Sequence, residues 1–352
     1  MESKIKELLK SIQHPESGED IVSAKIVDNI SVEDSKIRVT LIFKKSRDPF
    51  SIKIKSRVQE LLSESFSDMQ VTVYIREGES KRVEPEKPRT LTTAIAHTLA
   101  IASGKGGVGK STVTANLAIT LRDMGFRVGV LDADIYGPSQ HKMLGCEGFL
   151  PEAEHDEELG IDAIIPAESM GLKLMSIGFF VRPTDALMWR GTMASNALKQ
   201  LIHQTKWGVL DFLLIDMPPG TGDIHLQLIN ELKLTGAVIV STPQQVAVAD
   251  VVRGVEMFRH PQVNVPVTGI VENMAWFTPE ELPDAKYYLF GKGGAREYAL
   301  QNDIPFLGEI PIIQSVMEGG ESGTPAVIGD KRVESYYRSV CEKIVENALK
   351  SC

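Results

Sequence analysis

The stretch LAIASGKGGVGKSTVTANLA, residues 99–118, decides the fold of this chain. An apolar run leads into a glycine-rich loop, and Gly109, Lys110 and Ser111 open an amphipathic helical pattern. A strand, a G-x-x-x-x-G-K-[ST] loop and a helix in this order surround phosphates with backbone N–H groups. The lysine binds the β- and γ-phosphate oxygens, and the following hydroxyl binds Mg²⁺. The stretch therefore predicts a site for a nucleoside triphosphate.

Gly104, Gly106 and Gly109 also satisfy G-x-G-x-x-G, the pattern of a dinucleotide-binding crevice, and Asp132 follows about twenty residues further on. A pyrophosphate at a helix N-terminus needs neither an ammonium group nor a hydroxyl, so Lys110 and Ser111 favour the triphosphate. The loop residues that we expect to contact it are Gly104, Lys105, Gly106, Gly107, Val108, Gly109, Lys110, Ser111 and Thr112.

Carboxylates follow two further apolar runs. FLLIDMPPG ends in Asp216, and LDADIYGPS carries Asp132 and Asp134. We expect Ser111, Asp132 and Asp216 to form the Mg²⁺ site, and Asp134 to position the attacking water. Together with Lys105 and Lys110, Asp134 completes the predicted catalytic set. For Asp132 or Asp134 taken singly, a strand-end turn stabilised by the carboxylate is the alternative.

The pattern along the chain predicts two domains. Residues 1–77 show the order helix, strand, strand, helix, strand of a small α+β domain, and the charged, proline-bearing residues 78–95 have linker composition. Within 96–352, short apolar runs alternate with helical patterns. Runs of this kind are typical of strands buried on both faces and connected through helices. We therefore predict an α/β fold with a doubly wound, mostly parallel sheet.

Composition limits the possible partners and the compartment. The net charge of −9 argues against a surface for nucleic-acid phosphates, and no apolar run reaches the length of a membrane span. The start MESKIKELLKSIQ lacks the pattern of a secretory signal, and three scattered cysteines fit a reducing compartment. We expect a cytoplasmic protein that binds neither nucleic acid nor membrane.

Several motifs together resemble one family. They are SGKGGVGKST, LDADIYGPS, DMPPGTGD, VENMAWF, FGKGGA, and PFLGEIPI through EGGESGTP. In order and spacing they resemble the deviant Walker A family of P-loop ATPases, which includes MinD, ParA and the Mrp-type (ApbC-like) iron-sulfur carriers. The resemblance to the Mrp-type branch covers nearly the whole chain. The domain at 1–77 resembles the one often fused in front of these ATPases.

The resemblance implies an ATP- and Mg²⁺-dependent homodimer that delivers iron-sulfur clusters to apoprotein clients. It implies that Lys105 reaches the nucleotide of the second subunit and that Asn273 contacts the adenine base. A polar cap at a strand end is the alternative for Asn273. The rival function is a MinD/ParA-like positioning ATPase without a cluster, which a basic face or an apolar terminal helix would favour. Neither stands out in the sequence.

The chain departs from the carriers at one motif. Where they place C-P-x-C after an aromatic pair, this chain has TPEE, with Thr278 and Glu281 in the cysteine positions. An iron-sulfur cluster is thus implied by the family although its usual cysteine ligands are absent. Cys146 follows a glycine in a predicted loop, Cys341 lies on the apolar face of the last helix, and Cys352 is the last residue.

Overall fold

The computed structural model describes residues 2–15, 18–33, 36–43, 50–66, 69–77, 94–157, 160–180, 192–279, 281–282 and 284–350. The chain divides into two compact units, Met1–Pro88 and Arg89–Cys352. The division falls within the predicted linker, of which residues 78–93 lie outside the described part. The boundaries 1–77, 78–95 and 96–352 stay a prediction from sequence.

The first unit is a small α+β domain. Its elements are α1 (Glu2–Leu9), β1 (Val27–Glu33), β2 (Lys36–Phe43), α2 (Ser51–Ser65) and β3 (Gln70–Glu77). The strands lie in the order β1-β2-β3, with the first pair antiparallel and the second parallel. Alternate residues of β2, Ile37, Val39 and Leu41, are fully buried because they face the two helices. The predicted element order is confirmed.

The second unit is built on an eight-stranded sheet. Its strands are β4 (Ile95–Ala102), β5 (Val128–Asp132), β8 (Ala167–Ser169), β9 (Leu172–Ser176), β10 (Leu210–Asp216), β11 (Gly236–Ser241), β12 (Val267–Phe277) and β13 (Phe306–Ile312). Their spatial order is β13-β12-β11-β4-β10-β5-β9-β8, and every neighbouring pair is parallel except β8 with β9. A separate antiparallel pair consists of β6 (Ala153–Asp156) and β7 (Ile161–Ile164).

Helices cover both faces of this sheet. They are α3 (Lys110–Asp123), α4 (Gln140–Met143), α5 (Thr192–Gln204), α6 (Asp223–Glu231), α7 (Gln245–Arg259), α8 (Gly294–Gln301), α9 (Gln314–Ser322) and α10 (Lys331–Lys350). Leu99 and Ile101 of β4 pack in a core with α3 and α10, whereas Ala100 and Ala102 pack in another with α5, α6 and α7. Because both faces are covered, the central strands β4, β10 and β11 consist mostly of buried apolar residues. The predicted doubly wound sheet is confirmed.

The register of the sheet places the predicted site. Asp216, the last residue of β10, lies opposite Asp132 of β5 on one side and Ile101 of β4 on the other. Parallel strands end at the same edge of a sheet, and ligands bind there in open α/β folds. The loop that follows β4 therefore faces both carboxylates. None of the described helices is long and apolar enough to cross a membrane.

Tyr337 of α10 offers a test of the packing. Its side chain is fully buried, and its hydroxyl has no hydrogen-bond partner among the described residues. An unpaired buried hydroxyl costs about 1–3 kcal/mol. We therefore expect Tyr337→Phe to raise the free energy of unfolding by about 1 kcal/mol in urea denaturation. The half-exposed neighbour is the control: Tyr336→Phe should change it by less than about 0.5 kcal/mol. A clear loss of stability in Tyr337→Phe would mean that the hydroxyl is paired.

Candidate nucleotide-binding site

The glycine-rich loop between β4 and α3 follows a path that side chains would obstruct. Gly107 and Gly109 have φ angles of 79° and 80°, in the left-handed region that favours glycine. A Cβ atom on Gly104 would overlap the main-chain carbonyl of Asp250 in α7. The loop thus passes directly against α7, and its exposed middle, Gly106 and Gly107, faces solvent.

Lys110 stands at the centre of the site, with only 6% of its surface exposed. Its Nζ lies 2.5 Å from Oδ1 of Asp216, 3.2 Å from Oγ of Ser111 and 3.9 Å from Oδ2 of Asp134. The fold thus brings together four residues that the sequence predicted for phosphate, metal and water. A buried ammonium group needs such carboxylates because burial disfavours an unpaired charge.

The Asp216 carboxylate is fully buried and surrounded by donors. In addition to Lys110, Gln140 donates its amide to Oδ2 at 2.8 Å. The Thr114 hydroxyl lies 3.2 Å from Oδ1 and 3.0 Å from the Lys110 carbonyl, and its single hydrogen serves one of these two acceptors at a time. Gln140 is a site residue that the sequence reasoning missed. It follows a turn and opens a four-residue helix, and only the fold brings it to Asp216.

Asp132 is held in a different way. Its oxygens accept hydrogen bonds from the backbone N–H groups of Ser139 and Gln140, both at 3.0 Å, from the hydroxyl of Ser176 at 2.9 Å and from the N–H of Asp134 at 3.3 Å. This is the carboxylate-stabilised turn that the sequence left open as an alternative. Complete burial, and to a lesser extent the charge of Asp216, raise the pKa of Asp132 to about 7.

Asp134 is the most accessible of the three carboxylates. Its side chain is 11% exposed, whereas those of Asp132 and Asp216 are fully buried. One oxygen accepts the N–H of Gly137 at 3.2 Å, and the other faces Lys110. Burial raises the pKa of Asp134, and Lys110 opposes that rise. The position suits a group that orients a water molecule.

His225 of α6 is a second residue that the sequence reasoning missed. It is 3% exposed, and its Nε2 lies 2.8 Å from the carbonyl of Pro218, to which it donates because a carbonyl only accepts. Burial lowers the pKa of His225, so the ring is neutral near pH 7. The imidazole thereby fixes the Pro-Pro-Gly loop that follows Asp216.

Lys105 points away from this cluster. Its half-buried side chain donates to Oε1 of Gln244, just before α7, at 3.3 Å. Within the described part of the chain, no carboxylate forms an ion pair with Lys105. The two lysines of the loop therefore have separate surroundings: Lys110 faces acidic side chains, and Lys105 faces a neutral amide.

Two consecutive residues of β12 connect the loop with α8. Asn273, 7% exposed, donates its amide to the carbonyl of Val108 at 2.9 Å. Glu272 accepts the backbone N–H groups of Gly293 at 3.2 Å and Ala295 at 2.8 Å. The GKGG turn at residues 291–294 is therefore a helix entry already occupied by a carboxylate.

The two cysteines that the structure describes are poorly placed for ligation. Cys341 is fully buried and Cys146 is 9% exposed, and burial raises the pKa of both thiols. Cys146 does lie in the loop predicted for it, after α4, but its thiol is not exposed. Cys352 lies outside the described residues. No group of three or more His, Cys, Asp or Glu side chains in the described ranges is arranged to hold a metal ion.

The site fits a nucleoside phosphate with Mg²⁺. Side chains at Gly104 and Gly109 would collide with Asp250 and Asn273, so the loop keeps this path only with glycine at those positions, and Lys110 supplies a buried positive charge beside it. The oxygens nearby are hydroxyl, carboxylate and amide, the hard donors that Mg²⁺ prefers. Oε1 of Gln140 and Oγ of Ser139 are buried without a partner among the described residues, as expected where bound water completes the site.

Comparison with known proteins finds a matching family model for each of the two units. Residues 94–348 match the family model of the NUBPL iron-transfer P-loop NTPase, and residues 2–73 match that of an iron-sulfur cluster assembly protein. An iron-sulfur cluster carrier protein of Aquifex aeolicus is 39% identical over 345 residues, which cover 96% of this chain and 87% of that protein. The iron-sulfur cluster transfer protein NUBPL of Dictyostelium discoideum is 41% identical over 271 residues, 76% of this chain and 82% of that protein.

Solved structures agree with this placement. A nucleotide-binding protein of Archaeoglobus fulgidus in complex with ADP is 38% identical, with a TM-score of 0.57, and the match covers 70% of this chain and 90% of that one. The cell division ATPase MinD of Pyrococcus furiosus has a TM-score of 0.54 at 22% identity, covering 71% of this chain and 99% of that one. The second likeness shows the fold alone.

The contact between Asn273 and Val108 generates a prediction. Because it holds the phosphate loop, Asn273→Ala should weaken ADP binding about tenfold, the equivalent of one hydrogen bond. Calorimetry with inorganic pyrophosphate, which has no base, separates this role from a contact with adenine. We expect pyrophosphate binding to weaken as well. The control is Asn230→Ala, an exposed position on α6. Unchanged pyrophosphate affinity would contradict the loop-holding role.

Proposed function

This chain belongs to the NUBPL family of iron-transfer P-loop NTPases, and we propose that it is a Mg²⁺-dependent ATPase that transfers iron-sulfur clusters to apoprotein clients. The observation that carries the proposal is the position of Lys110, buried beneath the glycine loop and in contact with Ser111 and Asp216. Its relatives are named as carrier and transfer proteins, which favours this function over a MinD-like positioning switch.

Each residue at the site has a task in hydrolysis. Lys110 binds the β- and γ-phosphate oxygens, Ser111 contributes its hydroxyl to Mg²⁺, and Asp216 orients water at the metal. Asp134, the carboxylate with access to solvent, positions the attacking water. The sequence predicts Asp132 for the Mg²⁺ site as well. Because four hydrogen-bond donors already contact its carboxylate, we propose that Asp132 fixes the turn that carries Asp134. The bound metal supplies charge that stabilises the transferring phosphoryl group.

The surroundings of Lys105 support a dimer that closes over nucleotide. Its ammonium group lies beside Gln244 at the rim of the site rather than among the carboxylates. Exposed apolar side chains occur near site residues along the chain: Tyr136 is 64% exposed, Leu226 41% and Val246 72%. Large apolar side chains left exposed to water are typical of a surface that a second protein covers. We propose that the cover is a second copy, whose nucleotide Lys105 reaches.

We propose that this chain transfers an iron-sulfur cluster but binds it with low affinity. Thr278 and Glu281 offer a hydroxyl and a carboxylate where iron favours thiolates, and the described cysteines are buried. We propose that the chain acts as a carrier with few ligands of its own, or as an accessory factor that works with a partner's thiolates. We further propose that it acts in the cytoplasm.

The dimer is tested by complementation between two inactive variants. Lys105→Gln keeps an intact phosphate loop but lacks the reaching lysine, and Lys110→Ala has the reverse defect. Each variant alone should lose most ATP hydrolysis, whereas their mixture should recover part of it because a mixed dimer contains one complete site. Phosphate release measures turnover, and affinity capture with two different tags verifies that mixed dimers form. Mixed dimers without any recovery would contradict action across the dimer.

The cluster proposal is tested by restoring the missing motif. Thr278→Cys with Glu281→Cys creates C-P-E-C at residues 278–281, and the matched control replaces both positions by serine. After anaerobic reconstitution and gel filtration, the cysteine variant should retain clearly more iron per chain than the unmodified chain or the control, because it adds two thiolates per subunit. Iron content and cluster absorbance are the readouts. If the unmodified chain retained as much iron as the cysteine variant, the proposal that it binds a cluster with low affinity would be wrong.

A further inference from the structure

Gln140 connects three of the elements that form the nucleotide site. It is the first residue of α4, and no part of its side chain is exposed. Its backbone N–H donates to Oδ2 of Asp132 at the end of β5, at 3.0 Å. The position of the residue is therefore set by the carboxylate that organises the turn after β5.

The side-chain amide of Gln140 contacts Ser111 and Asp216, two of the residues proposed for the Mg²⁺ site. Its Nε2 donates to the backbone carbonyl of Ser111, at 2.9 Å, and to Oδ2 of Asp216, at 2.8 Å. An amide NH₂ has two hydrogens, so these contacts use both. Gln140 thereby fixes the Asp216 carboxylate relative to the residue whose hydroxyl is placed for Mg²⁺.

The carbonyl oxygen of the same amide has no hydrogen-bond partner in the part of the chain that the structure describes. Oε1 of Gln140 is buried, and no described group donates to it. Oε1 belongs to the same amide as Nε2, which contacts Asp216 and Ser111. The carboxylate of Asp216 and the carbonyl of Ser111 only accept hydrogen bonds, so neither can donate to Oε1. A buried amide oxygen is rarely left unpaired in proteins, and water is the donor that fits among acceptors. Water bound to Mg²⁺ is a strong donor because the metal polarises it.

The residue type matches this task better than its alternatives. Glutamate would add a negative charge against Asp216, and an apolar side chain would leave Oδ2 of Asp216 without its amide donor. Glutamine supplies donors to the carboxylate and an acceptor for water in one neutral group. Groups that orient the ligands of a metal commonly change its affinity 10–100-fold when they are replaced.

We infer that Gln140 is a positioning residue for Mg²⁺: it holds Asp216 and Ser111 in register and accepts a hydrogen bond from metal-bound water. The inference rests on the proposed nucleotide site and extends it to a residue that the P-loop motif does not contain. Gln140 then determines how tightly the site binds the metal and has little effect on how tightly the site binds the nucleotide.

The test uses Gln140→Met, which keeps about the same side-chain volume and removes the hydrogen bonds of the side-chain amide. Mn²⁺ serves as the probe. It is titrated into the whole chain in the presence of ADP, and electron paramagnetic resonance measures the Mn²⁺ that stays free. We expect the midpoint of Mn²⁺ binding to rise about tenfold or more, the loss typical of groups that orient metal ligands. ADP affinity in EDTA should change less than about twofold, since Lys110 and the loop remain. Gln301→Met, at an exposed position in α8, is the control.

The outcomes separate the inference from the proposed function. If the unmodified chain binds no ADP, the proposed function fails and the inference fails with it. If it binds ADP and Mn²⁺ while Gln140→Met keeps the same Mn²⁺ midpoint, the inference alone is overturned. An equal loss of ADP affinity with and without metal would make Gln140 merely structural, which also overturns the inference. Thermal melting verifies folding, and Gln140→Asn, which keeps the amide but shortens its reach, replaces the methionine variant if that does not fold.

Discussion

The buried ion pair between Lys110 and Asp216 is the interaction on which the site depends. It joins the first residue of α3 to the last residue of β10, at 2.5 Å and with almost no exposure to solvent. Removing one partner of a buried pair commonly costs about 3–5 kcal/mol, because the other charge is left without compensation. Asp216 has a further donor in the buried amide of Gln140, and the Thr114 hydroxyl lies within hydrogen-bond distance of it.

The strand β12 extends this arrangement beyond the phosphate loop. Successive side chains of a strand point to opposite faces, so Asn273 reaches Val108 while Glu272 reaches the start of α8. The next residue, Met274, has a φ of 56°, and the pairing of β12 with β13 shifts there. Strain and bulges of this kind concentrate beside functional sites. One strand thus connects the nucleotide loop with the segment in which carriers place their cysteines.

Much of this could be predicted because it is local in sequence. The phosphate loop, its strand and its helix lie within one continuous segment, residues 95–123, and the alternation of apolar runs with helical patterns is enough to predict the doubly wound sheet. Asp216 was found because it ends an apolar strand. The roles predicted for the individual loop residues and carboxylates stay predictions, although the fold places them in one cluster.

The remainder required the three-dimensional structure because it depends on contacts between distant residues. Gln140 meets Asp216 across 76 positions of sequence, and the amide of Asn273 meets Val108 across 165. His225 carries no motif, and its role follows from its distance to the Pro218 carbonyl. The turn that Asp132 organises and the burial of Cys146 are likewise matters of packing that neither periodicity nor spacing encodes.

The central claim, that Lys110 binds nucleotide phosphate at this loop, is tested most directly by calorimetric titration of ATP with Mg²⁺ into the unmodified chain and into Lys110→Met. Methionine keeps much of the length of the side chain but removes the charge that binds the β- and γ-phosphates. Thermal melting verifies that the variant is folded. We predict saturable binding to the unmodified chain and none to the folded variant. Equal affinity in the two proteins would contradict the claim and place the nucleotide elsewhere.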